Sequence, residues 1–323
     1  MSKFIGRKVE AALGIETSRG VGIAPQYSLG KTEFSVYDKT VDVRDDSSIG
    51  RIEDSNDKFI VEKYAQGSIA GLLGANSALY LLALAFGTSP TVGATSDSRT
   101  AWTISMNNTN QHASASLLVK DVNQTLIHKL LMLEKLEITV EMEEAVKFAA
   151  EFISKVGRTS TQSIPTYLED YKFTKRKAKI YLASSVAGLG AASRISVKSF
   201  KLTISKNLVR DSALGTAEPE DIQNQSFGIE GELKLNWNDQ TYKQLMLDGT
   251  YKAMRIFFES EKLIGASSYG DVTIDLSKLD FFSWEPDAAN EDIVTNTINF
   301  KGNYDLSNAM VNAVTVRNAR ASL

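Results

Sequence analysis

The sequence predicts a mainly β chain of two tandem β-sandwich units, each with one short flanking α-helix. Three observations lead there. Apolar residues recur with period two over long stretches, the mark of strands with one buried face. Only two short segments break that period with helical spacing. The order of motifs in the first half then returns in the second at a nearly constant offset, as in a duplicated unit.

Arg7 to Leu13 reads as an entry strand, and Phe34 opens a second. A polar stretch from Val41 to Lys58 follows, long for a connection with no helix of its own, and so a candidate for function. Phe59 to Leu73 is the next strand. Asn76 and Ser77 are suited to cap a helix whose body, Ala78 to Phe86, is apolar all round and therefore buried, with Gly87 as its stop. Met132, Leu136, Ile138, Val140 and Met142 alternate with polar residues, as do Val146, Phe148, Ala150 and Phe152. Glu143 to Ala145 between them reads as the turn of a long antiparallel hairpin. Phe200, Leu202 and Ile204 alternate with Lys201, Thr203 and Ser205. In the clearest strand, Phe227, Ile229, Leu233, Leu235 and Trp237 oppose Glu230, Glu232, Lys234 and Asn236. Gly231 interrupts the apolar row, where a bulge or a close backbone approach is expected. Asn238 and Asp239 begin a second helix carrying Tyr242, Leu245 and Met246, with Gly249 as its stop.

The repeat is read from paired motifs. Val43-Arg44-Asp45 returns as Val209-Arg210-Asp211, and Phe34 as Phe200, all at an offset of 166. Tyr80 and Gly87 match Tyr242 and Gly249 at 162. Small drift at loops is what duplication produces. The expected units are residues 1–160 and 161–323, with the seam near Arg158 to Ser163, before Pro165.

Composition excludes several classes. The chain of 323 residues has no cysteine, so disulfide frameworks, thiolate metal sites and cysteine nucleophiles are absent, which suits synthesis in a reducing cytoplasm. Thirty-six basic against 39 acidic residues leave a net charge of -3, without the basic excess of a phosphate-gripping protein. No apolar run approaches the ~20 residues that span a bilayer. Met1 to Phe4 leads into charged residues, which predicts no secretion leader.

The search for chemistry returns little. His112 lies in a polar loop and His128 in a strand; neither is framed by a nucleophile motif, and both read as ordinary surface histidines. The acids Asp45, Asp46, Asp54 and Asp57, and Glu218, Glu220 and Asp221, lack the spacing of a calcium loop. Glycine-rich Gly20 to Pro25 and Gly188 to Ser193 lack the residues of a phosphate cradle. The Glu230/Glu232 and Glu137/Glu141 pairs read as solvated strand faces, since Trp102, Trp237 and Trp284 look dispersed and supply no sugar platform. No catalytic residue, metal or cofactor is assigned.

Ile15-Glu16-Thr17-Ser18-Arg19-Gly20 with Pro25-Gln26-Tyr27 resembles the opening of many phage tail tube proteins. So does Val43 to Ser55, running into Lys63 to Gly71 and the helix at Leu79 to Leu82. The resemblance follows order and spacing across roughly the first ninety residues, and architecture beyond. It implies a structural virion protein of a long-tailed bacteriophage, made in the host cytoplasm and placed in the tail. Its sandwich would repeat around rings that stack into a hollow conduit. The partners implied are further copies of the chain, the tape measure protein, the tail terminator, the distal tail or baseplate proteins, and DNA only in transit, with no membrane. The alternative from another class is a soluble β-sandwich module of the carbohydrate-binding or adhesin type.

Within that picture the channel-lining candidates are Glu62, Gln66, Ser68, Glu137, Glu141, Glu151, Glu230, Glu232 and Lys234. The candidates for contact between rings are Arg44, Asp45, Asp46, Arg51, Glu53, Asp54, Arg210 and Asp211. If each chain holds two units, a trimeric ring with pseudo-sixfold symmetry is favoured over a hexamer.

Overall fold

The computed structural model describes residues 6–30, 32–46, 50, 52, 57–288 and 293–323. The chain is mainly β. In order it runs β1 (Glu10–Ile15), β2 (Tyr27–Ser28), β3 (Glu33–Asp45), β4 (Asp57–Leu72), α1 (Ala75–Phe86), β5 (Thr91–Ser96), β6 (Arg99–Ile104), β7 (Ala115–Lys120), β8 (Thr125–Val140), β9 (Lys147–Ser154) and β10 (Arg158–Thr159). It continues with β11 (Phe173–Ala183), β12 (Arg194–Ile195), β13 (Val197–Asp211), β14 (Asp221–Asn236), α2 (Thr241–Leu247), β15 (Lys252–Leu263), β16 (Tyr269–Asp287), β17 (Thr295–Gly302) and β18 (Val311–Asn318).

Every ladder is antiparallel. In the first half they join β2–β1–β7–β8–β9–β4–β3. In the second half β12–β11–β15–β16–β17–β14–β13 are joined in the same order. Local irregularities coincide too. The register slips between Leu133 and Lys135 where β8 meets β9, and between Phe281 and Ser283 where β16 meets β17. Gly67 stands opposite Val36 and Phe152, as Gly231 stands opposite Leu202 and Phe300. A Cβ at either glycine would collide with a neighbouring carbonyl and with that phenyl ring. Gly231 interrupts its apolar row because Phe300 fills the place of its side chain.

The halves share one sheet and one core. Residues 135–140 of β8 pair with 200–205 of β13. This creates the continuous order β3–β4–β9–β8–β13–β14–β17–β16, four strands from each half. One apolar cluster runs from Ala11 through α1 to Val316. The C-terminal β18 pairs with both β16 and β6, tying the end of the chain into the first half.

Helix α1 is buried along its whole length, as its unbroken apolar composition requires. It starts at Ala75, so Asn76 and Ser77 lie in its first turn instead of preceding it. The carboxylate of Asp170 takes the capping role, accepting from the amides of Asn76 (2.8 Å) and Ser77 (3.4 Å). Gly87 closes the helix at φ 74°, a left-handed conformation that glycine adopts at no steric cost. Helix α2 begins after Asp239, whose side chain accepts from the Thr241 amide at 2.8 Å, and has no buried residue.

Three expectations need correction. The stretch from Val41 to Lys58 is not all loop: β3 continues to Asp45 and β4 begins at Asp57, with Asp45 opposite Asp57. Neither face of this hairpin end is covered, so no hydrophobic period announces the strands. Both histidines are buried, not on the surface. The loop bearing His112 folds beneath the end of α1, and His128 packs under Gly157. The tryptophans are not all dispersed either, since Trp237 and Trp284 meet edge to face at 5.2 Å.

Candidate assembly and channel surfaces

Ladder partners share a face, and residues two apart along a strand share a face. Following the partners across the sheet, Ser68 stands opposite Glu151 and Glu151 opposite Lys135. Glu137 stands opposite Thr203, Thr203 opposite Glu230, and Glu230 opposite Lys301. The structure therefore brings Glu62, Gln66, Ser68, Glu137, Glu151, Glu230, Glu232 and Lys234 onto one polar face of the continuous sheet. Glu141 follows the last residue of β8, at the rim of that face. The reverse face buries Ala65, Ile69, Ile138, Phe152, Ile204, Ile229 and Leu233 in the core. Long strands with one polar and one apolar face position these side chains, and no loop is involved.

The face is charge-paired rather than plainly acidic. Glu137 lies between Lys135 (3.5 Å) and Lys201 (3.1 Å). Glu230 pairs with Lys301 at 2.9 Å and Lys234 with Asp287 at 3.1 Å. Exposed pairs of this kind contribute about 0–1 kcal/mol each, so they matter less for stability than for the field above the sheet. That field alternates over short distances, and a polyanion passing over it meets no continuous basic track. Glu134, in the β8 irregularity, has its carboxyl pushed up by burial and by the nearby Glu151.

The hairpin ends form the second surface. Arg44 lies 3.7 Å from Asp42, which also faces Lys58 at 3.6 Å. Asp45 sits in the terminal ladder of that hairpin, and Asp46 follows it, exposed. Arg51, Glu53 and Asp54 lie outside the described residues. Around this end Val43, Phe59, Ile60 and Val61 are all exposed. In the second half the equivalent arginine does something different. Arg210 clasps Glu62 through two nitrogens (2.8 and 3.3 Å) and covers the Tyr64 ring at 3.9 Å. Asp211 pairs with Asp221 at the end of its ladder. The Lys63 amide donates to the Ala217 carbonyl (2.6 Å), and Arg158 meets Glu218 at 2.7 Å, so the second hairpin end rests against the first half.

The opening motif proves to be internal framework. Glu16 is buried and accepts from the Gly20 amide, the hydroxyls of Ser114 and Ser116, and the Leu130 amide. Arg19 donates to the carbonyls of His112 and Ile222 and pairs with Asp221 at 2.5 Å. One side chain thus ties the first-half loop after β1 to β14. Sequence reasoning missed this cluster, and Lys206 beside it, because their partners lie about 90 to 200 residues away. Among the described residues no group of three or more acidic or histidine side chains is placed to hold a metal ion.

Comparison with known proteins returned one family. The model of the phage tail tube protein matches residues 6–302 of the chain. No curated protein matches it.

Proposed function

Because the chain belongs to the phage tail tube protein family, a structural component of the virion tail, we propose that copies of it close into rings and stack into the hollow conduit for DNA ejection. The conduit encloses the tape measure protein before ejection and passes DNA during it. The tail terminator and the distal tail or baseplate proteins meet its two ends, and assembly takes place in the host cytoplasm. The observation that carries this reading is the continuous sheet β3–β4–β9–β8–β13–β14–β17–β16, polar on one face and, among the described residues, unpaired along the outer edge of β3 and along Ser283 to Asp287 of β16. An open edge is a hazard in a monomer and a joint in a ring.

The polar face bearing Glu62, Gln66, Ser68, Glu137, Glu151, Glu230, Glu232 and Lys234 lines the channel, with Glu141 at its rim. The hairpin end that carries Arg44, Asp45 and Asp46 contacts the next ring through exposed Val43, Phe59, Ile60 and Val61, while Arg210 and Asp211 brace the second hairpin. Residues 1–160 and 161–323 are two tail-tube-like units, a reading supported by their matching ladder orders and matching irregularities. Three chains then complete a ring with pseudo-sixfold symmetry, and six is the second choice. We assign the chain no catalytic step. Negative-stain imaging of the purified protein tests the reading: rings or filaments with a central channel are expected, and particles that stay monomeric and solid overturn it.

A further inference from the structure

At one end of the second half the β11–β15 and β13–β8 ladders part around a recess of about 290 Å³. Its floor is apolar, with Ile180 and Phe258 from one ladder and Phe200 and Val140 from the other. Lys175, Arg176, Arg194 and Lys198 stand around it, and no acidic side chain lines it. Arg176 is paired with Glu261, but among the described residues Lys175, Arg194 and Lys198 have no ion pair. The matching place in the first half is taken by the chain itself. At the offset of 166, Ser28 to Phe34 correspond to Arg194 to Phe200. There the linker between the halves crosses: Ile164 to Tyr167 line the recess beside Leu29 and Phe34, and the Tyr167 ring fills the space that a Cβ on Gly30 would need. The linker is apolar and then acidic, running from Ile164 through Tyr167 and Leu168 to Glu169 and Asp170. Among the described residues nothing crosses the second mouth. Residues 1–8, which precede β1 as the linker precedes β11, carry Lys3, Arg7 and Lys8 and no acid, a poor match to a basic rim.

The complement lies at the other end of the same strand. Strand β13 begins at the mouth with Val197 and ends at Asp211 after 15 residues, a span of roughly 50 Å. From Asp211 to Asp221 the hairpin end holds Asp211, Glu218, Glu220 and Asp221 and no basic residue. Asp221 and Glu218 are paired with Arg19 and Arg158, which leaves Asp211 and Glu220 without an ion pair among the described residues. Leu214 at the apex is fully exposed, and Gly215 turns the chain back at φ 89°, a left-handed conformation that suits glycine. The bond from the Lys63 amide to the Ala217 carbonyl braces this end and leaves Leu214 projecting. The first hairpin end has Arg44, Arg51 and Lys58 among its acids, so its charge fits a basic rim less well.

We propose that the basic mouth of the second half is the seat for the Leu214 hairpin of a second copy in the next ring. The leucine enters the apolar floor, and Asp211 and Glu220 meet Lys175, Arg194 and Lys198 at the rim. This rests on the tube reading above and specifies one joint between rings, beside the contact made by the first hairpin end. A knob and its seat at opposite ends of one strand make a heterologous contact, which repeats without closing and so extends a filament. The seat lies at the internal β8–β13 joint, away from the open edges of β3 and β16, so a closed ring leaves it accessible. An aliphatic anchor in a desolvated recess supplies the attraction. The opposite charges around it fix which end meets which, because two hairpin ends or two mouths brought together would repel.

Negative-stain imaging of full-length variants tests the seat. Leu214→Asp, which removes the knob, and Arg194→Glu with Lys198→Glu, which reverses the rim, should each form rings that stop at one layer. Rings of the two variants, formed separately and then mixed, should give stacks of two rings and nothing longer, since only one pairing of knob and seat remains intact. Tubes of wild-type length from either variant, or a mixture that stays in single rings, would overturn the seat and leave the tube standing. Cross-linking keeps the test open if a variant fails to fold. The chain has no cysteine, and Met142 lines the mouth with its side chain exposed. Leu214→Cys with Met142→Cys, assembled, treated with a short bismaleimide and denatured, should give covalent multimers beyond the number of chains in a ring. Chains with either cysteine alone should give nothing above dimer, and a double variant that matches them overturns the seat. Wild-type protein that forms no ring overturns the tube reading and the seat with it.

Discussion

Lys206 is 5% exposed, and its ammonium donates to the carbonyl of Leu84 (2.5 Å) near the C-terminal end of α1. The helix end favours a cation there, but burial and then the charge of Arg19 push its pKa down to about 7. The unfolded chain keeps that proton to about pH 10.4. Between about 7 and 10.4 the unfolded state therefore binds more protons than the folded one, and stability rises with pH by up to about 1.4 kcal/mol per unit. Below 7 both states hold the proton, and the cost of burying the charge is present in full. Lys206→Met should flatten the rise and stabilise the protein by about 1–3 kcal/mol near pH 6.5; urea melts at pH 6.5, 8 and 9.5 measure both effects. His112, whose pKa burial lowers to about 4, adds a rise of the same sign between about 4 and 6.5. At Gly231 the neighbours of an added Cβ include the Lys201 carbonyl, which cannot turn aside. Gly231→Ala should cost about 1–3 kcal/mol, and an unchanged melting midpoint would show that the sheet opens more easily than this contact allows.

Among the elements, what was legible in the sequence is what local chemistry dictates. The β14 pattern from Phe227 to Asn236, the β8–β9 hairpin and the apolar helix ended by Gly87 were all readable, because a buried face imposes its period on the residues themselves. The cap on α1 was not, since Asp170 arrives from 93 and 94 residues away. It also accepts from the Tyr27 hydroxyl (3.2 Å) and the Lys172 ammonium (3.0 Å). Asp170→Ala should cost about 1–3 kcal/mol, because it orphans buried donors at a helix end that water does not reach; thermal melts monitored by circular dichroism check this. The ends of β3 and β4 were illegible for the opposite reason, as strands with no buried face carry no period. Their exposed Phe59 and Ile60 make the hairpin end the place to test stacking. Phe59→Asp with Ile60→Asp should leave single rings and abolish long tubes in negative stain, and in the wild type amide exchange at residues 41–46 and 57–61 should slow on assembly. Tubes of unchanged length from the double variant would move the contact between rings elsewhere.

The two halves share one strand order but differ in the contacts at their edges. In the proposed ring the internal β8–β13 joint is freed from matching the joint between chains. It has acquired the Arg210–Glu62 clasp and the Arg19–Asp221 pair, which bind the halves and have no counterpart in the matching Arg44, whose near acid is Asp42 of its own hairpin. The face proposed for the channel was readable as polar strand residues, but its charge balance was not, since the lysines beside Glu137 and Glu230 come from neighbouring strands or the same strand, and Glu62 is held by Arg210 from the other half. In the proposed channel a face so paired would let DNA slide because it offers no basic excess, so reversing its sign should matter more than removing it. Glu230→Lys with Glu232→Lys would sit beside Lys201, Lys234 and Lys301 and create a basic track on the second half of every chain. Each phosphate neutralised releases condensed counterions, so the variant should assemble normally yet eject DNA several-fold more slowly, most visibly at low salt. Equal ejection rates would remove this face from the channel. The proposed ring symmetry rests on the same sheet. With both proposed units of one chain contributing four strands each, three chains offer as many unit edges as six chains of one unit, and such a ring would repeat a unit-to-unit contact six times, alternately within and between chains. Mass per ring from end-on averages or native mass spectrometry should give three chains. Six would refute the pseudo-sixfold trimer, and the internal joint would then supply six of twelve unit contacts in a ring of wider bore.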